Sequence, residues 1–189
     1  MSRRPARSFR SKGAGAGPIR PPRVGPSGPV PGGKDHAMKL EQFLESQKVA
    51  YEKLTHPPAY TAQGLAAEEH VPGMNVAKPV LVQAGKEYVM CVLPACCRVD
   101  LDLVSKATRA PSARLANEEE LRKVFADCEL GAEPPFGNLF GLRTLMDESL
   151  QKDDYLVFQA GTHTQAVKMK RADYEKIAAP VVAPFAHHV

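Results

Sequence analysis

The chain lacks any apolar run as long as the ~18 residues of a membrane-spanning helix, so no membrane insertion is expected. It also lacks a charged region, apolar stretch and small-residue cleavage site in that order, which argues against secretion. Its four cysteines, Cys91, Cys96, Cys97 and Cys128, include no C-x-x-C spacing, and no histidine cluster completes a ligand set. Neither metal nor cofactor is therefore expected, and reduced thiols of a cytoplasmic protein are the favoured account. No G-x-S-x-G elbow, Walker loop, dinucleotide glycine fingerprint or H-E-x-x-H stands anywhere in the sequence. Cys96 or Cys97 with a distant histidine makes a weak nucleophile, because nothing local would lower a thiol pKa.

Charge is present but unevenly spread. The formal net charge is +4, yet residues 1–37 hold eight basic side chains against Asp35 alone, leaving −3 for the remainder. The same stretch contains seven prolines and seven glycines and no periodic apolar pattern. It cannot bury enough surface to offset its ordering entropy and is expected to be a disordered basic extension. An RNA-binding arm, an organellar transit segment and an upstream start-site artefact all fit it; the last is favoured, because Met38 opens the first periodic segment. Residues 38–189 are expected to form one domain of about 150 residues.

Within that domain the pattern alternates between helical and strand periods. Leu40, Phe43 and Leu44 mark a first helix, followed by a strand at Tyr51–Leu54 and a breaker at His56-Pro57-Pro58. Thr61 is placed as the N-cap of a helix running to about His70. Val76–Val82 and Tyr88–Leu93 read as a β-hairpin. Asp100–Thr108 and Asn117–Asp127 read as helices, the second capped by Asn117 with Glu118, Glu119 and Glu120 at its positive end. Strands near Arg143–Met146, Tyr155–Gln159 and Gln165–Lys170 precede a last helix near Ala172–Ala178. Helices scattered among mainly hairpin-linked strands give α+β, with a mostly antiparallel sheet and flanking helices.

Three stretches carry possible chemistry. Lys78 shares a strand face with Val76, Val80 and Val82, where an ammonium must snorkel, find an anion or lose its proton. Pro79 cannot donate to a ladder, which places the strand at an edge, and an edge lysine guarding against aggregation is the plain alternative. Glu133-Pro134-Pro135-Phe136-Gly137-Asn138 is stiff and apolar, with Gly137 free to let a ligand approach; a packed loop plugging one end of the sheet explains it equally well. Ala160-Gly161-Thr162-His163-Thr164 turns between two strong strands, where Gly161 can leave its amide exposed and His163 can hydrogen bond. A solvated histidine is the commoner outcome at such a turn.

Taken in order, Thr61 with its helix, Val76-Ala77-Lys78, Pro135-Phe136-Gly137, Gly161-Thr162-His163 leading into Val167-Lys168-Met169, and Asp173-Tyr174 make the chain resemble the YbaK/EbsC family. These are free-standing relatives of the prolyl-tRNA synthetase editing domain. The resemblance spans Met38 to about Pro180 and implies a single compact α+β domain sheltering a small pocket.

The implied activity is trans-editing: hydrolysis of a mischarged aminoacyl-tRNA, tRNA for proline bearing Ser, Thr, Ala or Cys. Its implied partners are the tRNA acceptor end, with prolyl-tRNA synthetase or an elongation factor as helper. By the same resemblance, Lys78, Gly161 and His163 fall at catalytic positions. Thr61, Pro135, Phe136, Gly137, Asn138 and Thr162 fall at substrate-binding ones. Lys78 is expected to stay cationic, with a pKa little disturbed at an edge strand. Phosphate contacts are sought in Arg98, Lys106, Arg109 and Arg114, or in Lys168 and Lys170. A non-catalytic aminoacyl- or nucleotide-binding module is the alternative reading, and a thiol-dependent small-ester hydrolase a weaker one.

Overall fold

The computed structural model describes residues 36–188. Nearly all of the basic extension lies outside the described residues. The elements run α1 (His36–Ser46), β1 (Tyr51–Thr55), α2 (Ala62–Glu68), β2 (Ala77–Ala84), β3 (Glu87–Pro94) and β4 (Cys97–Val99). They continue with α3 (Leu101–Thr108), β5 (Ala113–Leu115), α4 (Glu118–Val124), β6 (Arg143–Asp147) and β7 (Tyr155–Gln159). β8 (Gln165–Lys170), α5 (Arg171–Ala178), β9 (Val181–Ala183) and β10 (Ala186–His188) complete the described chain. None of the described helices is long and apolar enough to cross a membrane.

β2 and β3 form the expected hairpin, in antiparallel register from Ala77 opposite Pro94 to Ala84 opposite Glu87. β5 adds antiparallel to the end of β2, while β6 joins β3, and β9 joins β6, in parallel. The resulting order is β5-β2-β3-β6-β9. β1, β8 and β7 make a second, antiparallel sheet, and β4 pairs with β10 in a third. The α+β, mostly antiparallel expectation holds, although the strands divide among three sheets. Each parallel pairing follows a long crossover: β3 reaches β6 by way of α3 and α4, and β6 reaches β9 by way of β7, β8 and α5.

Pro79 sits where its missing donor costs nothing. Odd-numbered residues in and just before β2 turn their backbone groups away from β3: the Asn75 carbonyl accepts from Val157 N–H at 2.8 Å and the Leu81 carbonyl from Ala116 N–H at 3.0 Å. Between these two attachments no strand among the described residues pairs with Pro79 on that side. β2 therefore has a local open edge inside an otherwise flanked sheet.

Alternation along β2 and β3 builds two cores. Leu81, Met90 and Val92 pack with Leu40 and Leu44 of α1, Phe136, Phe158 and Tyr174. Val82, Val89, Cys91 and Leu93 pack with Val104 of α3 and with Phe185. A third, smaller cluster of Ala59, Leu65, Val76, Ala95, Val157 and Ala166 lies beneath α2.

Caps set the helix starts. Thr61 accepts Gly64 N–H at 2.9 Å and so begins α2. Asn117 and Glu120 form a reciprocal capping box at α4, which ends at Val124 and not at Asp127. Near β10, buried Asp147 accepts the N–H groups of Phe185 at 2.7 Å and Ala186 at 2.8 Å. Its other oxygen accepts Ser149 N–H at 3.0 Å and the Ser149 hydroxyl.

Candidate active site

The open edge of β2 faces a cavity of about 450 Å³. Its floor is apolar and buried: Leu65 of α2, Val76 and Ala77 entering β2, and Ala95 after β3. Its rim is polar and exposed, made by Tyr60, Thr61 and Gln63 on one side and Arg98 of β4 on another. Two buried polar side chains, Glu133 and Gln159, complete the wall.

Lys78 stands between floor and rim, half-buried, on the face of β2 that also carries Val80 and Val82. Its Nζ donates to the Cys97 carbonyl at 2.8 Å. Among the described residues no carboxylate lies within ion-pairing distance of it. An ammonium has three N–H groups, so two remain for a ligand. Burial, helped by nearby Arg98, pushes its pKa below that of an ordinary lysine, while the Cys97 and Cys96 thiols push the other way. The expectation of an undisturbed pKa is corrected: the strand edge is local, and the surrounding walls still remove water.

Tyr60 is 71 % exposed at the rim and its ring lies 4.9 Å from that of His163. His163 is thereby held behind the cavity wall. Its Nδ1 donates to the Ala59 carbonyl at 3.2 Å and its backbone N–H to Glu129 Oε2 at 2.6 Å. Gln159, on β7, donates from Nε2 to the same Ala59 carbonyl at 2.5 Å, which leaves its amide oxygen as an acceptor.

Of the residues singled out from sequence, the fold brings Lys78 and Thr61 to the cavity. The Thr61 hydroxyl is already committed to capping α2. Gly161 does not expose its amide: at φ +95° it donates to the Ala132 carbonyl at 2.8 Å, fixing the turn against the following loop. Thr162 and His163 lie on that turn but not in the lining.

The Pro135–Asn138 residues lie outside the lining of this cavity. Phe136 is fully buried, with ring contacts to Phe43, Phe158 and Tyr174. The Pro135 carbonyl accepts the Tyr174 hydroxyl at 2.7 Å, and Asn138 donates to the Ile177 carbonyl at 3.1 Å. A Cβ on Gly137 would meet Thr144 Oγ1 at 2.5 Å, so it is the protein's own backbone that approaches closely there. Pro135, Phe136 and Gly137 are packed into the core, whereas Asn138 is exposed.

Tyr60 and Gln159 line the cavity without having been singled out, while Glu133 was named only as the start of the Pro-Pro-Phe-Gly stretch and Arg98 only as a phosphate contact. The signal that picked out Lys78, a polar group within an apolar run, also marks Glu133 before Pro134-Pro135-Phe136 and Gln159 closing Tyr155–Phe158. The Cys97 and Cys91 thiols are poor nucleophiles. Burial and the adjacent Cys96 push the Cys97 thiol, which lines the cavity, up to about 11. Burial pushes Cys91 to about 12. Among the described residues, no three His, Cys, Asp or Glu side chains are grouped to hold a metal. Of the proposed phosphate patches, Arg114 is bound by both oxygens of Glu120, and Lys168 lies over the Tyr155 ring at 4.6 Å. Arg98 alone of these joins the cavity.

The fold is thus an α+β domain whose cleft mixes polar and apolar lining, with Lys78 and Arg98 as its cations and Glu133 as its acid. The chain belongs to the aminoacyl-tRNA editing domain family, whose model matches residues 56–177. The multifunctional Ser/Thr-tRNA deacylase ProXp-y of Escherichia coli (strain K12) is 31% identical over 100 residues, covering 52% of this chain and 59% of that protein. The chain thus spans about six tenths of the length of the curated relatives it matches. Among solved structures, a protein described as a candidate trans-editing enzyme for prolyl tRNA synthetase superposes with a TM-score of 0.72 at 19% identity. That match covers 82% of this chain and 99% of the other. The hypothetical protein APE2540 gives 0.72 at 18% identity, covering 79% and 99%. At these identities the likeness is one of fold.

Proposed function

We propose that this protein hydrolyses the ester of a mischarged aminoacyl-tRNA, with the aminoacyl group in the cavity and the terminal adenosine at its rim. The observation that carries the proposal is Lys78: a half-buried ammonium with one backbone partner, facing a small apolar floor. An uncompensated charge held there costs stability and is accounted for by a ligand anion or a developing oxyanion.

The chemistry needs no covalent intermediate. Water attacks the ester carbonyl, the oxyanion forms beside Lys78, and the carbon–oxygen bond to the ribose breaks as that oxygen takes a proton. The neighbouring ribose hydroxyl of the substrate is placed to orient the water. Tyr60 offers an exposed ring on which the terminal base can stack, and Arg98 a cation for its phosphate.

The amino acid removed is proposed to carry a hydroxyl, Ser or Thr. The small floor at Val76, Ala77 and Ala95 limits side-chain size, and the Gln159 amide oxygen supplies an acceptor. The Ser/Thr specificity named for the Escherichia coli relative agrees with this reading. tRNA for proline as the carrier, with prolyl-tRNA synthetase as partner, is the accompanying proposal.

The test is deacylation of tRNA for proline charged separately with Ala, Cys, Ser, Thr and Pro. Preferential loss of Ser or Thr, with Pro spared, is expected. A folded protein that binds these species but releases none would instead make the domain a binding module.

A further inference from the structure

Glu133 is the one carboxylate lining the cavity among the described residues, and it is 5 % exposed. Its Oε1 accepts the Gly131 N–H at 3.0 Å. Among the described residues no Lys, Arg or His lies within ion-pairing distance of it. The cationic groups of the cavity, Lys78 and Arg98, come from the β2 and β4 wall, whereas Glu133 comes from the loop after α4. The cavity therefore presents opposite charges on different walls.

A charged aminoacyl-adenosine end is dipolar too. Its phosphate is an anion, its reacting carbonyl becomes one, and its α-amino group is an ammonium. We propose that Glu133 is the receptor for the α-ammonium of the bound aminoacyl group, a substrate-binding residue that fixes which way the ester faces Lys78. This rests on the aminoacyl-ester reading above. It explains why a carboxylate is kept in a place that burial makes costly, since its natural counter-ion arrives with the substrate. A purely structural role, closing the turn at Gly131, asks only for a hydrogen-bond acceptor, which glutamine also provides.

The experiment compares wild type with Glu133→Gln on Ser-tRNA for proline and on the same species with its amino group acetylated. Acetylation removes the positive charge and leaves the ester. Wild type is expected to prefer the free amine by about tenfold or more in kcat/KM, the size of a charge-assisted hydrogen bond. Glu133→Gln should lose that preference, mainly through KM. Equal discrimination by both proteins overturns the proposal, as does a wild type indifferent to acetylation.

If wild type hydrolyses neither ester, the deacylase reading fails by itself. Glu133 is then judged by binding of the non-hydrolysable 3′-seryl-amide of adenosine against its N-acetyl form. A preference for the free amine that Glu133→Gln abolishes sustains the proposal, and its absence in wild type ends it. Melting supplies the folding control. Burial raises the Glu133 carboxyl above the usual range, so its ionised form is disfavoured in the folded chain. Glu133→Gln should accordingly melt no lower than wild type near neutral pH.

Discussion

The ammonium of Lys78 is tied to the carbonyl of Cys97, 2.8 Å away, so a side chain of one sheet is aimed by the backbone of another. Cys97 begins β4, and β4 pairs with β10 and not with the strand that carries Lys78. The lysine is thus oriented without being neutralised, which is what electrostatic stabilisation of a developing charge requires.

Replacing that lysine should remove catalysis while leaving the fold. Lys78→Ala is expected to lower single-turnover deacylation at least about tenfold, about 1.4 kcal/mol of barrier, with cooperative melting retained. Unchanged turnover would take Lys78 out of the reaction.

The pH profile separates two roles for the same residue. Burial and Arg98 lower the Lys78 pKa, so its ammonium is lost at a pH below the 10.5 of an ordinary lysine. As a cation it supports activity below that pKa, and activity falls as pH rises through it. As a base it would give the reverse slope. We expect the falling limb in kcat/KM, after subtraction of uncatalysed hydrolysis, and its absence in Lys78→Ala.

Cys97 lines the cavity yet should be chemically silent. Its thiol is held near 11, so almost none is thiolate at neutral pH. Cys97→Ala is expected to keep deacylation within about threefold of wild type, a change below 1 kcal/mol. A loss as large as that from Lys78→Ala would restore the thiol hydrolase reading.

Two aromatic residues should fail in opposite ways. Phe136→Ala opens a hole in the main core and should cost about 3–5 kcal/mol of stability. Tyr60→Ala removes an exposed ring at the rim and should leave melting within a degree or two while raising KM for aminoacyl-tRNA. Urea melts beside steady-state kinetics would show a reversed pattern if the assignments were wrong.

Asp147 is a buried acceptor for backbone donors of the segment before β10. Asp147→Ala strands the Phe185 and Ala186 N–H groups and should destabilise the domain by about 3 kcal/mol. Chemical denaturation would read this as a lower midpoint, and a variant as stable as wild type would refute the clamp.

Local chemistry was legible in the sequence; long-range closure was not. The β2–β3 hairpin, the caps at Thr61 and Asn117 and the edge position of Pro79 follow from neighbours a few residues apart. The resemblance added the family. The side of the sheet taken by the Pro135–Asn138 loop depends on Tyr174 and Ile177, far along the chain, so a stiff loop read as a ligand wall became core. Gly161 read as a free amide for the same reason, because its acceptor at Ala132 is remote in sequence. The three-residue strands β4, β5, β9 and β10 have no periodicity to show; partners alone define them. Glu133 and Gln159 were within reach, since the argument applied to Lys78 applies equally to an acid or amide among apolar neighbours.

The pairing of β4 with β10 has a bearing on how the protein is made. Residues 97–99 leave the ribosome long before residues 186–188, so the strand that aims Lys78 waits, unpaired, for much of synthesis. A nascent chain that already displays the hairpin and α2 has the floor of the cavity but not the brace behind its ammonium. The brace behind the ammonium is therefore completed late, when the β10 segment docks onto Asp147 and β4. A half-made chain is a shelf without its bracket.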